Sequence, residues 1–401
     1  VFTKQTDIKG YSRMVAFAEI EKNDFNLNIP RYIDSSEAED LQDIEAHLLG
    51  GIPKADIDAL DDYWRVFPSL KNALFANTER DNYLNLLVEK EAIKTAIYQH
   101  PEFVQFIKEM NQLFKQWQTQ STTLLKALEP NFHPKELIIT LSESLLAAYT
   151  DKALLSKYDV YQHLMDYWLE VMQDDTYLIA ADGWKAETYR ILEEKKNKAG
   201  QVVKTIDKGW TCDLIPKPLL INRYFAEQQQ AIDKLKAELE SLQTELTESE
   251  EEHGGEDGAF SELDKITKAT INVRLKGLKL ENGKNGTDEM RILANYLVQL
   301  EGAAIKKREI KDAEAKLDAQ LLEFYPSLTV EKIKQLVVDD KWMATMNKAV
   351  HSEMDRISQR LTQRIKELAE RYETPMPQQS QNVQTLEQAV QVHLAKMGFS
   401  F

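Results

Sequence analysis

Eight apolar side chains, Met346, Val350, Met354, Ile357, Leu361, Ile365, Leu368 and Tyr372, recur at steps of 4, 4, 3, 4, 4, 3 and 4. That spacing, about 3.7 residues per repeat, lays all of them on one face of a helix and fits no strand. It predicts a nearly straight helix over 341–372, ended by Pro375 and Pro377. A second stripe has a different period. Phe225, Ile232, Leu235, Leu239, Leu242 and Leu246 occupy heptad-compatible positions, with steps of 3, 4, 3, 4 from Ile232. This is an a/d seam on a helix running from about 222 to Glu252 and stopping at the glycines 254, 255 and 258.

Charge shows where that helix goes next. Residues 237–258 hold nine acids and no Lys or Arg, whereas 265–311 hold eleven Lys or Arg and five acids. An acidic limb followed by a basic limb suits an antiparallel helical hairpin with opposite charges facing. The returning helix is expected at 288–324, with Ile310, Ala313, Leu317, Leu321 and Phe324 inward and Gly283 and Gly286 in the loop before it.

The remainder also reads as helical. Ser35-Ser36 suits an N-cap for a helix ending at Leu49 before Gly50-Gly51. Pro53 opens the next, with Ile57, Leu60, Trp64 and Phe67 on one face. Further helices are expected at 79–98, 101–128, 134–149 and 158–173, and a last one at 385–397 with Leu386, Val390 and Leu394 inward. Residues 174–222 are less regular. Asp182-Gly183-Trp184 reads as a turn, 201–206 as β-prone, and Gly209 to Pro218 as a loop whose two prolines prevent a continuous helix. Residues 23–33, with Asn alternating with apolar residues, read as a short extended piece with Asx turns. With only 14 Gly and 11 Pro in 401 residues, turns are few and elements long. The fold class expected is mainly α: a multi-helix region, a long antiparallel coiled-coil-like hairpin and a small extended N-terminal segment.

Composition narrows the function classes. A net charge of -16 argues against a self-sufficient nucleic-acid binder. One cysteine, Cys212, excludes an internal disulfide framework and a multi-Cys zinc site, and it reads as a buried small hydrophobe in a reducing, cytoplasmic setting. No apolar run is long enough for a membrane helix. There is no Gly-x-Gly and no Walker A string, and the seven His are scattered without a His-x-x-x-His pair. No catalytic, cofactor-binding or metal residue is therefore assigned. His253, after three glutamates, reads as a solvated helix end. Trp64, Trp117, Trp168, Trp184, Trp210 and Trp342 read as core rather than as base-stacking platforms. Lys306, Lys307, Arg308 and Lys311 are the best candidates for DNA-backbone contact, and they also suit an exposed face opposite an acidic helix.

The string Asn23-Asp24-Phe25-Asn26-Leu27-Asn28-Ile29-Pro30-Arg31-Tyr32 resembles the segment that closes the methylase core in modification (HsdM) subunits of type I restriction–modification systems. Gly209 to Pro216, Arg223-Tyr224-Phe225, Glu251 to Gly258, Val337 to Trp342 and Ala369 to Pro375 resemble the extended C-terminal region of one branch of that family. Such subunits carry a glycine-rich S-adenosylmethionine loop and an Asn-Pro-Pro-aromatic motif, and neither string occurs here. The resemblance implies an intact subunit that methylates adenine N6 with S-adenosylmethionine on a flipped base. It implies that this chain is the C-terminal region only, holds no cofactor and is inactive alone. The implied partners are the specificity subunit (HsdS), onto which this region docks the methylase core, the restriction subunit, and DNA through the assembled complex. Interface candidates are Asn23, Asn26, Asn28, Arg31 and Tyr32, with Leu235, Leu239, Leu242 and Leu246 of the heptad seam. The organisation expected is a tail of the methylase core at 1–35, a helical region at 36–200, a connecting loop at 201–221, the hairpin at 222–324 and C-terminal helices at 325–401.

Overall fold

A computed structural model describes residues 3, 5–8, 11–33, 41–196, 202–256, 258–282 and 288–398. The fold is mainly α, with two small antiparallel sheets among the described residues. The chain forms two compact units, one of residues 1–97 with 361–401, the other of residues 98–360.

In the first unit, Asp43 rather than Ser35 caps the described helix Ile44–Leu49, its Oδ1 accepting the Ala46 N–H at 2.8 Å. Ser35 and Ser36 lie outside the described residues. Gly50 and Gly51 adopt φ of 78° and 86°, a left-handed turn that a side chain would strain. After it the expected single helix is three short ones, Lys54–Asp58, Asp61–Val66 and Pro68–Leu74. Ile57, Trp64 and Phe67 are still buried. The Trp64 indole donates to the Ile57 carbonyl at 2.5 Å, tying the first two pieces together.

The helix expected at 79–98 is corrected. Residues Tyr83–Leu86 are the central strand of a three-stranded antiparallel sheet, between Ile52–Pro53 and Phe75–Asn77. The helix begins only at Ile93. Tyr83 to Val88 is a short apolar run, and such a run fits either period; pairing with Phe75–Asn77 decides it.

The second unit carries the long helices. Pro101–Lys126 and Pro134–Ala148 fall where expected, and Pro101 and Pro134 sit in their first turns, where a missing N–H costs nothing. The helix expected at 158–173 extends further. Lys157–Tyr167 runs through a π-type stretch, Trp168–Met172, into Gln173–Asp182, and Gly183 ends it at φ 75°. A second π-type stretch, Gln335–Met343, leads into Ala344–Tyr372. All eight residues of the opening stripe are buried there.

The loop expected around 201–221 is corrected too. Tyr189–Lys196 and Val202–Thr211 form an antiparallel β-ribbon, and Lys217–Tyr224 is a helix. Pro216 and Pro218 lie at the start of that helix and do not interrupt it, because proline is well placed in a first turn.

The hairpin is present as Ala226–His253 and Asp288–Phe324, which pack along each other. Opposite charges do face across it: Lys236 reaches Glu314 at 2.7 Å and Lys306 reaches Glu238 at 2.9 Å. A third helix, Lys268–Asn282, adds Ile271 and Leu278 to Leu246, Phe260, Leu293, Tyr296 and Ala303, closing the distal end as a three-helix core. Gly283 and Gly286 lie outside the described residues.

Candidate functional site

The segment Val337 to Trp342 is where the second unit is tied together. Four consecutive side chains grip distant parts of the chain, the last two sharing one carboxylate. Lys126 Nζ is 2.6 Å from Asp339 Oδ2, and Arg223 Nη1 is 2.6 Å from Asp340 Oδ2. Lys341 Nζ lies 2.7 Å from Asp175 Oδ2 and donates to the Leu214 carbonyl at 3.0 Å. The Trp342 indole donates to Asp175 Oδ2 at 2.8 Å. A regular α-turn would send four consecutive side chains at 100° steps around the axis; the wider π turn re-aims them. Asp175 is 4% exposed. Burial pushes its carboxyl up from the usual carboxylate range, and Lys341 and Trp342 oppose that shift in part.

A second set of contacts continues from the strand end Trp210 into the following turn. The Trp210 indole donates to Asp318 at 2.7 Å, and Lys217 takes the other Asp318 oxygen at 2.6 Å while lying over the Trp210 ring. The Tyr325 hydroxyl donates to the Ile215 carbonyl at 2.7 Å. Cys212 is buried, and burial pushes its thiol up, so the thiolate form is disfavoured. Tyr224 and Phe225 both pack against the Phe324 ring, the first tilted and the second edge-on. The strings Gly209 to Pro216, Arg223 to Phe225 and Val337 to Trp342 thus supply anchoring contacts between helices.

Beside the Asp175–Lys341 pair is a cavity of about 690 Å³ whose wall includes Glu170, Asp174, Tyr177 and Asp213. Its lining holds no His, Ser or Cys; the polar groups there are carboxylates, the Tyr177 hydroxyl and Lys341. Among the described residues no group of three or more His, Cys, Asp or Glu is placed to hold a metal. No helix among them is long and apolar enough to cross a membrane.

All six tryptophans are buried. His253 is half-buried beside Phe260, not fully solvated. Of the heptad candidates, Leu246 is buried in the distal core, Leu239 and Leu242 pack against it, and Leu235 is half-buried. Lys306 is engaged by Glu238 and by Glu309 at 3.1 Å, Arg308 lies 3.8 Å from Asp312, and Lys307 and Lys311 are exposed.

The N-terminal segment folds differently from a simple extended piece. It contains the helix Phe17–Lys22 and a single 3-10 turn at Ile29–Arg31. The expected Asx turn is present, with Asn26 Oδ1 accepting the Asn28 N–H at 3.0 Å. The Tyr32 hydroxyl donates to the Asn26 carbonyl at 2.5 Å, Asn23 is half-buried, and Asn28 and Arg31 are exposed. Phe17, Phe25, Leu27 and Ile29 remain exposed.

Residues 1–41 match the N-6 DNA Methylase family. The match covers that first segment of the 401 residues and leaves the helical remainder outside it. No curated protein and no solved structure matches the chain. The chain therefore bears a DNA N6-methyltransferase signature at its start, followed by a helical region whose own contacts must speak for it.

One expectation at the other end is overturned. The last helix is Met376–Lys396, and it buries no residue. Leu386 and Val390, expected inward, are 66% and 55% exposed, and Leu394 is half-buried. Met376, Val383, Val390 and Met397 recur at steps of seven, all exposed. Periodicity predicts an apolar face but not how far it is covered: the helix meets Ile44–Leu49, yet Val383 and Val390 stay more than half exposed.

Proposed function

We propose that this chain is the C-terminal assembly region of a type I modification subunit, a DNA adenine-N6 methyltransferase, and that it docks the methylase core onto the specificity subunit. One observation carries the reading: the helix Met376–Lys396 keeps a seven-residue apolar repeat uncovered. Such a face is the usual seat of a partner helix. The exposed Phe17, Phe25, Leu27 and Ile29 of the methylase-like segment belong to the same unit and offer a second apolar surface, for the methylase core. The anchored helices of the second unit supply rigidity. In such subunits the glycine-rich loop would hold S-adenosylmethionine and the Asn-Pro-Pro-aromatic motif the target adenine, and neither string occurs in these residues.

A DNA clamp built from Lys306, Lys307, Arg308 and Lys311 has less support, because the acidic helix already engages Lys306 and Arg308 lies near Asp312. The test is capture of the specificity subunit of the same system by the full chain. Micromolar or tighter binding that Leu386→Glu with Val390→Glu weakens at least tenfold supports docking. Absence of binding at micromolar concentration rejects it.

A further inference from the structure

The β-ribbon Tyr189–Lys196 with Val202–Thr211 has no role in the anchoring described above beyond its base. At that base the Tyr189 hydroxyl donates to Asp213 at 2.7 Å and the buried Trp210 donates to Asp318. Beyond it the ribbon stands free. Every described side chain from Tyr189 to Lys195 is exposed, and among the described side chains of the return strand from 202 to 208 only Ile206 is even half-buried. A two-stranded ribbon exposed on both faces is marginal by itself, so what it presents is informative.

Charge changes along its length. Near the base, opposite charges pair across the strands: Arg190 with Asp207 at 3.4 Å and Glu193 with Lys208 at 2.9 Å. At the distal end the rule is broken, and Lys195 lies directly opposite Lys204. Like charges in register destabilise a strand pair. Neither lysine has an ion-pair partner among the described residues. Both are exposed, in a chain whose net charge is -16. A pair of unpartnered lysines on an acidic protein, carried on an arm with a fixed base, is an electrostatic footprint for a polyanion.

We propose that the lysine pair Lys195 and Lys204 of this ribbon contacts the phosphate backbone of duplex DNA. A two-stranded ribbon fits the width of the major groove, and lysines on its strands can reach the phosphates that border it. DNA is favoured over an anionic membrane because the chain begins with an N-6 DNA methylase segment. The contact is sequence-independent and does not depend on the docking reading.

The test uses the full chain and a fluorescent 20-base-pair duplex, with affinity measured by anisotropy across a salt series. Lys195→Glu with Lys204→Glu is expected to lower affinity at least tenfold and to reduce the slope of log K against log salt by about 2, since each phosphate contact contributes close to one. Lys307→Glu with Lys311→Glu is expected to leave both unchanged. The milder Lys195→Gln with Lys204→Gln, checked by circular dichroism, separates loss of charge from loss of fold. Unchanged affinity in both ribbon variants overturns the proposal, as does wild-type binding to phosphatidylserine vesicles without binding to duplex. Specificity-subunit capture is scored on the same proteins. Loss of DNA affinity with capture intact supports the ribbon contact, and failure of capture with DNA affinity intact rejects docking alone.

Discussion

Asp175 Oδ2 accepts the Trp342 indole N–H at 2.8 Å, and the indole is completely buried. The same carboxylate is the counter-charge of Lys341, so one side chain from the helix Gln173–Asp182 satisfies two consecutive residues of a π-type turn. Asp175→Asn keeps an acceptor for the indole but leaves Lys341 without its counter-charge. Breaking a buried pair in this way costs about 3–5 kcal/mol. Trp342→Phe removes one hydrogen bond and keeps most of the volume, and should cost less, roughly 1–3 kcal/mol. Urea midpoints of the two variants check the order; the reverse order would show that the pair is not what holds the turn.

The hairpin's distal core makes a separate prediction. Ile271 is fully buried among helices Ala226–His253, Lys268–Asn282 and Asp288–Phe324. Ile271→Ala should cost about 2–5 kcal/mol, and Leu239→Ala, only half-buried, clearly less. Hydrogen exchange over residues 226–324 should show the first variant opening locally while the helix Pro101–Lys126 keeps its protection.

Alkaline pH should unfold the protein early. Burial pushes the Tyr167 hydroxyl up to about 12, and the hydroxyls of Tyr149, Tyr296 and Tyr325 further in the same direction. In the unfolded chain these phenols release their protons near pH 10. The folded state then holds more protons than the unfolded one, so stability is intact below about pH 10 and falls as pH rises toward the folded values. Tyrosinate absorbance at 295 nm should show a fraction that titrates only together with loss of helical signal. Smooth titration of every tyrosine with the fold intact would contradict it.

The Tyr149 hydroxyl is buried and has no hydrogen-bond partner among the described residues. Removing an unsatisfied buried hydroxyl relieves its desolvation, so Tyr149→Phe should raise stability by roughly 1 kcal/mol. A lowered thermal midpoint would place a partner there.

For the helix Met376–Lys396, stability and binding should separate. It buries no side chain, so Leu386→Glu with Val390→Glu should leave the thermal midpoint within the few tenths of a kcal/mol typical of surface changes. A large loss of stability would mean that the face is already covered.

Much of the fold was legible because helical periodicity is a local property. The stripe from Met346 to Tyr372 has a single solution, and all eight of its side chains are buried. The alternation of acidic and basic limbs foretold Ala226–His253 against Asp288–Phe324 for the same reason, since charge complementarity is written along each helix. Tyr83 to Leu86 fits a helix or a strand, because a short apolar run satisfies both periods and only its partner strands choose. Of the ribbon, 201–206 reads as β-prone, but its partner strand Tyr189–Lys196 is too charged to signal itself.

The sequence by itself determined which faces are apolar, where prolines and glycines break helices, and that the chain is mainly α, because these depend on neighbours a few residues apart. Tertiary structure alone decided what those faces meet. Asp175 meets Lys341 across 166 positions of sequence, Lys195 stands opposite another lysine, and Val383 and Val390 stay more than half exposed. A side chain's chemistry is local, but its partner is chosen by the path of the whole chain.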